Sequence, residues 1–306
     1  MTDTALAGAI DQIRGASGAA SPPVTAFFDP TSFTVSYVVH DPATRRAAII
    51  DSVLGFDPAS GQVSTSALDD IVAHVRTNDL VVDWVLETHA HADHLSAAHH
   101  LQQKLGGQTG IGRQITEVRQ HFGEVFNGGA RSAREDAEFD RLFDDGDVFA
   151  IGEIPITALH VPGHTPADLA YVFGDVVFAG DTLFMPDSGT ARADFPGGDA
   201  RRLFRSIRRL LALPVETRLF LCHDYKAPGR DRYVWETTVL EERQTNIHVR
   251  DGIDEDSFVA MRTARDATLS VPRLLLSSIQ VNIRGGKFPP AEANGVHYLK
   301  IPVSGL

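Results

Sequence analysis

The chain has 306 residues, of which 43% are hydrophobic, 22% charged and 8% aromatic, a composition that excludes disorder and fibrous folds. Its 28 Lys and Arg stand against 40 Asp and Glu, a net charge of −12 that argues against nucleic acid or an anionic membrane as partner and favours a small-molecule substrate. One cysteine, Cys222, rules out an internal disulfide, and the thirteen histidines are more than a chain of this length ordinarily carries.

Residues 1–23 are rich in Ala, Gly and Ser and lack the basic n-region and apolar core of a signal peptide. They read as a flexible tail or one short helix. No stretch approaches the roughly 18 apolar residues of a membrane helix, so the reading is a soluble, cytoplasmic protein. Residues 33–40 and 47–51 flank the turn Asp41-Pro42 as a hairpin, and 66–76 place Leu68, Ile71, Val72 and Val75 on one helical face before a buried strand at 81–86. Helices follow at 95–105 and 115–126. The acidic, Gly-flanked segment from Asn127 to Gly146 reads as a lid or a surface loop. Strands resume at 148–150, 154–160, 169–173 and 176–179, then a helix at 200–213 and a strand at 218–221. Two strand-rich halves with interspersed helices predict an α+β protein, two sheets sandwiched between helices. Residues 24–250 are expected to form one main domain and 251–306 an extension packed on it; a homodimer is compatible with this organisation.

The chemistry concentrates in Thr88-His89-Ala90-His91-Ala92-Asp93-His94, directly after a strand and before a helix. Four metal-competent side chains lie within six residues, and the small alanines let the loop curl so that imidazoles and a carboxylate converge. Three further strand ends supply candidate ligands: His164 in Val161-Pro-Gly-His-Thr-Pro166, Asp181 in Phe178-Ala-Gly-Asp-Thr182 and His223 in Leu221-Cys-His-Asp-Tyr225.

On these motifs the chain resembles the metallo-β-lactamase superfamily over about residues 27–242. The resemblance implies a four-layer αββα sandwich with metal on loops between the sheets. It also implies that His89, His91 and His164 serve one metal and Asp93, His94 and His223 a second, with Asp181 bridging. Two chemistries are compatible with this set. Two zinc ions would activate water to attack a carbonyl, as in glyoxalase II or a lactonase; one Fe(II) on His89, His164 and Asp181 would form a facial triad with open positions.

Downstream, Gly189-Thr-Ala-Arg192-Ala-Asp194-Phe195, His223-Asp-Tyr225, Glu241-Glu-Arg-Gln-Thr-Asn246 and Val281-Asn-Ile-Arg284 are similar to the persulfide dioxygenases, with Thr190-Ala191 where animal and plant members carry a cysteine. The implied reaction is oxidation of glutathione persulfide by O2 to sulfite and glutathione at one Fe(II) per chain. Arg192, Tyr225 and Arg230 are then candidates for gripping the peptide's carboxylates and amides, and His91, Asp93, His94 and His223 would orient the iron ligands. Glyoxalase II enzymes end in a helical basic extension, and none is apparent in residues 251–306. Arg201, Arg202, Arg205, Arg208 and Arg209 read as the solvated face of a helix whose apolar stripe is Leu203, Phe204, Ile207, Leu210 and Leu211. His40, His74, His99, His100, His121, His160, His248 and His297 read as ordinary structural or surface residues, and Cys222 as a small buried side chain.

Overall fold

A computed structural model of the protein describes residues 3–16, 20–127 and 138–303. The chain opens on α1 (Thr4–Ala16) and five strands, β1 (Val24–Asp29), β2 (Thr34–His40), β3 (Arg46–Ile50), β4 (Val53–Asp57) and β5 (Gln62–Ser64). Next come α2 (Ser66–Thr77), β6 (Val81–Leu86), β7 (Leu95–Ser96), α3 (Ala98–Leu105), β8 (Gln108–Gly112), α4 (Ile115–Val125) and β9 (Arg141–Phe143). The second half contains β10 (Val148–Ile151), β11 (Ile154–His160), β12 (Leu169–Phe173), β13 (Val176–Phe178), a 3-10 turn at Gly180–Thr182, α5 (Ala200–Leu210), β14 (Arg218–Phe220) and β15 (Glu236–Thr238). Three helices finish it: α6 (Val239–Thr245), α7 (Glu255–Asp266) and α8 (Leu275–Asn282).

Period-two alternation makes β2 two-faced. Val35, Tyr37 and Val39 point into the layer between the sheets, with Ala158, Tyr171, Phe173 and Phe178 of the second half. Val38 joins Ala47, Ile49 and Val85 on the outer face, under Leu68, Ile71, Val72 and Val75 of α2. The sheets run β1-β2-β3-β6-β8-β9 and β10-β11-β12-β13-β14-β15, with parallel pairing at β3–β6 and β13–β14. On the far side of the second sheet, α1 and α5 share a core with Val172, Val177 and Leu219. The four-layer αββα arrangement expected from the sequence is therefore present.

Three expectations need correction. Of the two readings of the N-terminus, residues 4–16 are the short helix and not the flexible tail: Ala9 and Ile13, one turn apart, are buried in the outer core, and Gln12 bonds both Val172 O and Thr157 Oγ1. The Ala-rich composition concealed that stripe. The arginine face of α5 is not simply solvated, because Arg201 and Arg205 pair with Glu255 of α7 while Arg209 pairs with Asp3 and Asp145. Residues 251–303 contain the helices α7 and α8, whose amphipathic pattern is too weak to stand out in the sequence. Of the segment 127–146, residues 128–137 lie outside the described residues, and Arg141–Phe143 forms the edge strand β9 beside β8. Among the described residues no helix is long and apolar enough to cross a membrane.

Candidate metal centre

Every candidate ligand sits where a strand ends. The loop carrying His89, His91, Asp93 and His94 follows β6, His164 follows β11, Asp181 lies in the 3-10 turn after β13, and His223 follows β14. The turn needs Gly180 (φ +53°), where a Cβ would meet Thr88 Oγ1 at 2.7 Å. The ends of the two sheets are tied across the site, Val35 N donating to Cys222 O at 2.7 Å and Tyr37 Oη to Leu221 O at 2.5 Å.

These elements bring the predicted residues together. Nε2 of His89 and of His164 lie 3.8 and 3.6 Å from Asp181 Oδ2, and the three ligand atoms are mutually within 4.8 Å. His223 Nε2 lies 3.5 Å from Asp181 Oδ1 and 3.6 Å from Asp93 Oδ2. His94 Nδ1 is 3.3 Å from Asp93 Oδ2.

Hydrogen bonds behind the rings decide which nitrogen is free. His164 Nδ1 donates to Arg192 O at 2.8 Å and His223 Nδ1 to Phe33 O at 3.2 Å, so a proton sits on each Nδ1. Thr88 Oγ1 donates to Asp51 Oδ2 at 2.8 Å and accepts from His89 Nδ1 at 3.0 Å. His91 is turned the other way, its Nε2 donating to Asp51 Oδ1 at 3.0 Å. Among the buried atoms without hydrogen-bond partners are His89 Nε2, His91 Nδ1, His94 Nε2, Asp181 Oδ1 and, behind the loop, Glu87 Oε2. Buried polar atoms normally find partners, and the unpartnered His89 Nε2 and Asp181 Oδ1, on residues whose ligand atoms group with that of His164, suit a borderline divalent cation held by imidazole nitrogen and carboxylate.

The electrostatics divide the histidines into a neutral, ligating ring and a ring held in its charged form by two carboxylates. Burial pushes His89 well below its ordinary pKa, reinforced by His91 and His164, and keeps the ring in the neutral, ligating form. Burial alone would lower His91 too, but the Asp51 and Glu87 carboxylates overcome it and raise the value well above the ordinary one. For Asp93, burial is outweighed by His223 and His94, which hold the carboxyl well below its usual range. Cys222 is buried and its thiol is pushed well up, so it is no nucleophile at neutral pH.

The cluster floors a cleft of about 1020 Å³ lined by Asp93, His94, His164, Asp181 and His223 at its base. Arg192 and Tyr225, singled out from the sequence, both line it, and Tyr225 stacks on the His223 ring at 5.5 Å and 13°. Arg192 also forks onto Asp194 and donates to Ser270 O. Arg230 is a correction: it is not among the lining residues. Its guanidinium is taken up by Asp224 and Asp187, because a fully buried Asp224 carboxylate demands a paired cation.

Several functional neighbours went unread in the sequence. Asp51, Glu87 and Thr34 back the histidine loop. His248 accepts from Thr190 N at 3.1 Å and so supports the loop before Arg192. Arg262, Arg265 and Arg273 of the C-terminal segment line the cleft, which corrects the expectation that residues 251–306 hold no helical basic extension. None has a short-range motif, and Asp51 is marked only in the fold, as a non-glycine at a strand end with φ 51°.

The chain belongs to the metallo-beta-lactamase superfamily, which it matches over residues 30–223. It is 51% identical to a "Probable metallo-hydrolase" of Burkholderia pseudomallei, over 92% of this chain and 99% of that one. It is 43% identical to "Glyoxylase B2" of Dictyostelium discoideum, with 92% and 97% covered. The human mitochondrial persulfide dioxygenase is 27% identical over 90% of this chain and 93% of its own. Among solved structures, ETHE1 from Myxococcus xanthus superposes with a TM-score of 0.69 at 28% identity, covering 87% of this chain and all of that one.

Proposed function

We propose that the protein is a persulfide dioxygenase that oxidises glutathione persulfide to sulfite and glutathione at a single Fe(II) held by His89, His164 and Asp181. The observation that carries this reading is the convergence of those three ligand atoms, two imidazoles and one carboxylate, with His164 and Asp181 lining a cleft. The likeness to the Myxococcus xanthus ETHE1 fold and to the human persulfide dioxygenase supports it. Glutathione persulfide, O2 and water balance against glutathione and sulfurous acid, with four electrons passing from the outer sulfur to dioxygen. When bound, ferrous iron supplies the redox centre for that transfer. Arg192, Arg265 and Arg273 give the cleft cationic walls suited to a peptide carboxylate. Tyr225 covers His223 and narrows access to the metal ligands.

A dinuclear zinc hydrolase of thioesters or lactones is the second reading. It is favoured by a second group of ligand atoms, from His91, Asp93 and His94, that lie mutually within 4.8 Å, and by the names of the relatives at 51% and 43% identity. Metal analysis of anaerobically purified protein separates the two. About one iron per chain with O2 uptake dependent on glutathione persulfide is the expected result; two zincs per chain with cleavage of lactoylglutathione would overturn it.

A further inference from the structure

The helices α7 and α8 lie beyond the part of the chain that matches the superfamily, yet they hold the histidine loop and the Thr190–Ala193 loop whose carbonyl orients His164. Asn282, 3% exposed at the end of α8, spends its amide on the histidine loop. Its Nδ2 donates to His91 O and to His94 O, each at 2.8 Å, and its Oδ1 accepts from Ser96 N at 2.7 Å. Each bond falls on a ligand's own peptide unit or two residues beyond. The following turn presses equally close: a Cβ on Gly286 would lie 2.9 Å from Ser96 O.

α7 acts on the other side of the centre. Arg262 is buried, its Nε donating to Asp266 Oδ1 at 2.9 Å and its Nη1 to Thr190 O at 3.2 Å. Asp266 Oδ2 accepts from Ala193 N at 2.9 Å. Thr190 and Ala193 bracket Arg192, whose carbonyl orients His164. The loop is thus pinned at both ends by one buried ion pair.

We propose that the α7–α8 segment is a positioning clamp for the metal centre. Asn282 sets the loop of His91, Asp93 and His94, and the Arg262–Asp266 pair sets the carbonyl that aims His164. The physical reason is that the histidine loop lies outside regular secondary structure, so its backbone carbonyls lack ladder partners and take the direction their side-chain donors impose. The inference rests on the metal-centre reading but not on which metal or reaction is used.

Cobalt(II) titration of the full chain tests it, with affinity and ligand-field bands as readouts. Asn282→Ala and Asp266→Ala should each weaken cobalt binding by roughly tenfold or more, the range typical of lost ligand-orienting partners, and alter the bands at saturation. Phe258→Ala, which removes core packing of α7 on Phe204 of α5 but takes away none of the clamp's hydrogen bonds, should lower thermal stability while leaving affinity and bands as in the native chain. If Asn282→Ala does not fold, Asn282→Asp replaces it, keeping the acceptor for Ser96 and removing both donors. Native affinity and bands in folded variants at both positions would overturn the clamp; failure of the native chain to bind cobalt would overturn the metal-centre reading beneath it.

Discussion

Asp51 holds His91 by accepting from its Nε2 at 3.0 Å, and the same carboxylate accepts from Thr88 N at 2.7 Å and Thr88 Oγ1 at 2.8 Å. Because Thr88 Oγ1 in turn fixes His89 Nδ1, one buried acid sets the free nitrogens of two neighbouring histidines in opposite senses. Asp51→Asn keeps the shape but presents an amide where three donors already point. Chelator competition should show metal affinity reduced about 10- to 100-fold, with the αββα fold retained by circular dichroism. Unchanged affinity would mean that Asp51 serves folding alone.

Arg192 contributes to the centre through two separate groups. Its carbonyl orients His164, while its guanidinium lines the cleft. Arg192→Ala keeps the carbonyl, so metal content should stay native, and loss of a charged hydrogen bond should raise KM about tenfold with little change in kcat. Steady-state kinetics beside metal analysis checks this, and an unchanged KM would remove Arg192 as a substrate anchor.

Arg230→Ala should behave in the opposite way. It strips the partner from Asp224, whose side chain is 0% exposed, and breaking such a pair costs about 3 kcal/mol. Denaturant unfolding should register that loss. A raised KM in the folded variant, with stability unchanged, would return Arg230 to the substrate site.

The pH dependence of stability has one identifiable contributor far from the ligands. Burial pushes Glu242 up to about 8, against the hydrogen bond from Asn246 Nδ2. In the fold this carboxyl stays protonated while the unfolded chain ionises, so the unfolded state binds fewer protons from about pH 4.5 to 8. Stability from this group therefore falls as pH rises through that window. Glu242→Gln copies the protonated form. Its thermal midpoint should match the native one near pH 4, where both states are protonated, and exceed it by a margin that grows through pH 5–8 to several degrees or more at pH 9. Parallel curves at both pH values would show that Glu242 ionises normally in the fold.

The ligand set was legible because it is written in short-range patterns. His89 to His94 fall in one loop, and His164, Asp181 and His223 each follow an apolar run that reads as a strand. The strands themselves show through alternation, as in Val35, Tyr37 and Val39. Arg192, Tyr225 and Arg230 came from the family resemblance of the elements around them; the first two line the cleft, whereas Arg230 is paired with Asp224, six residues away and equally suited to a turn in the sequence.

Tertiary structure alone decided what surrounds those ligands. Asp51 meets His91 across 40 residues, Asn282 meets His91 across 191, and Arg262 meets Thr190 across 72. A carboxylate, an amide and a guanidinium at such separations carry no periodicity and no spacing that marks them, and each is as ordinary on a surface as in a core. Their role arises only when folding removes water and leaves loop carbonyls and ring nitrogens that must be satisfied from within the protein. The sequence by itself determined which side chains can bind a metal; the packing of α7, α8 and the two sheets determined which atom of each one faces it.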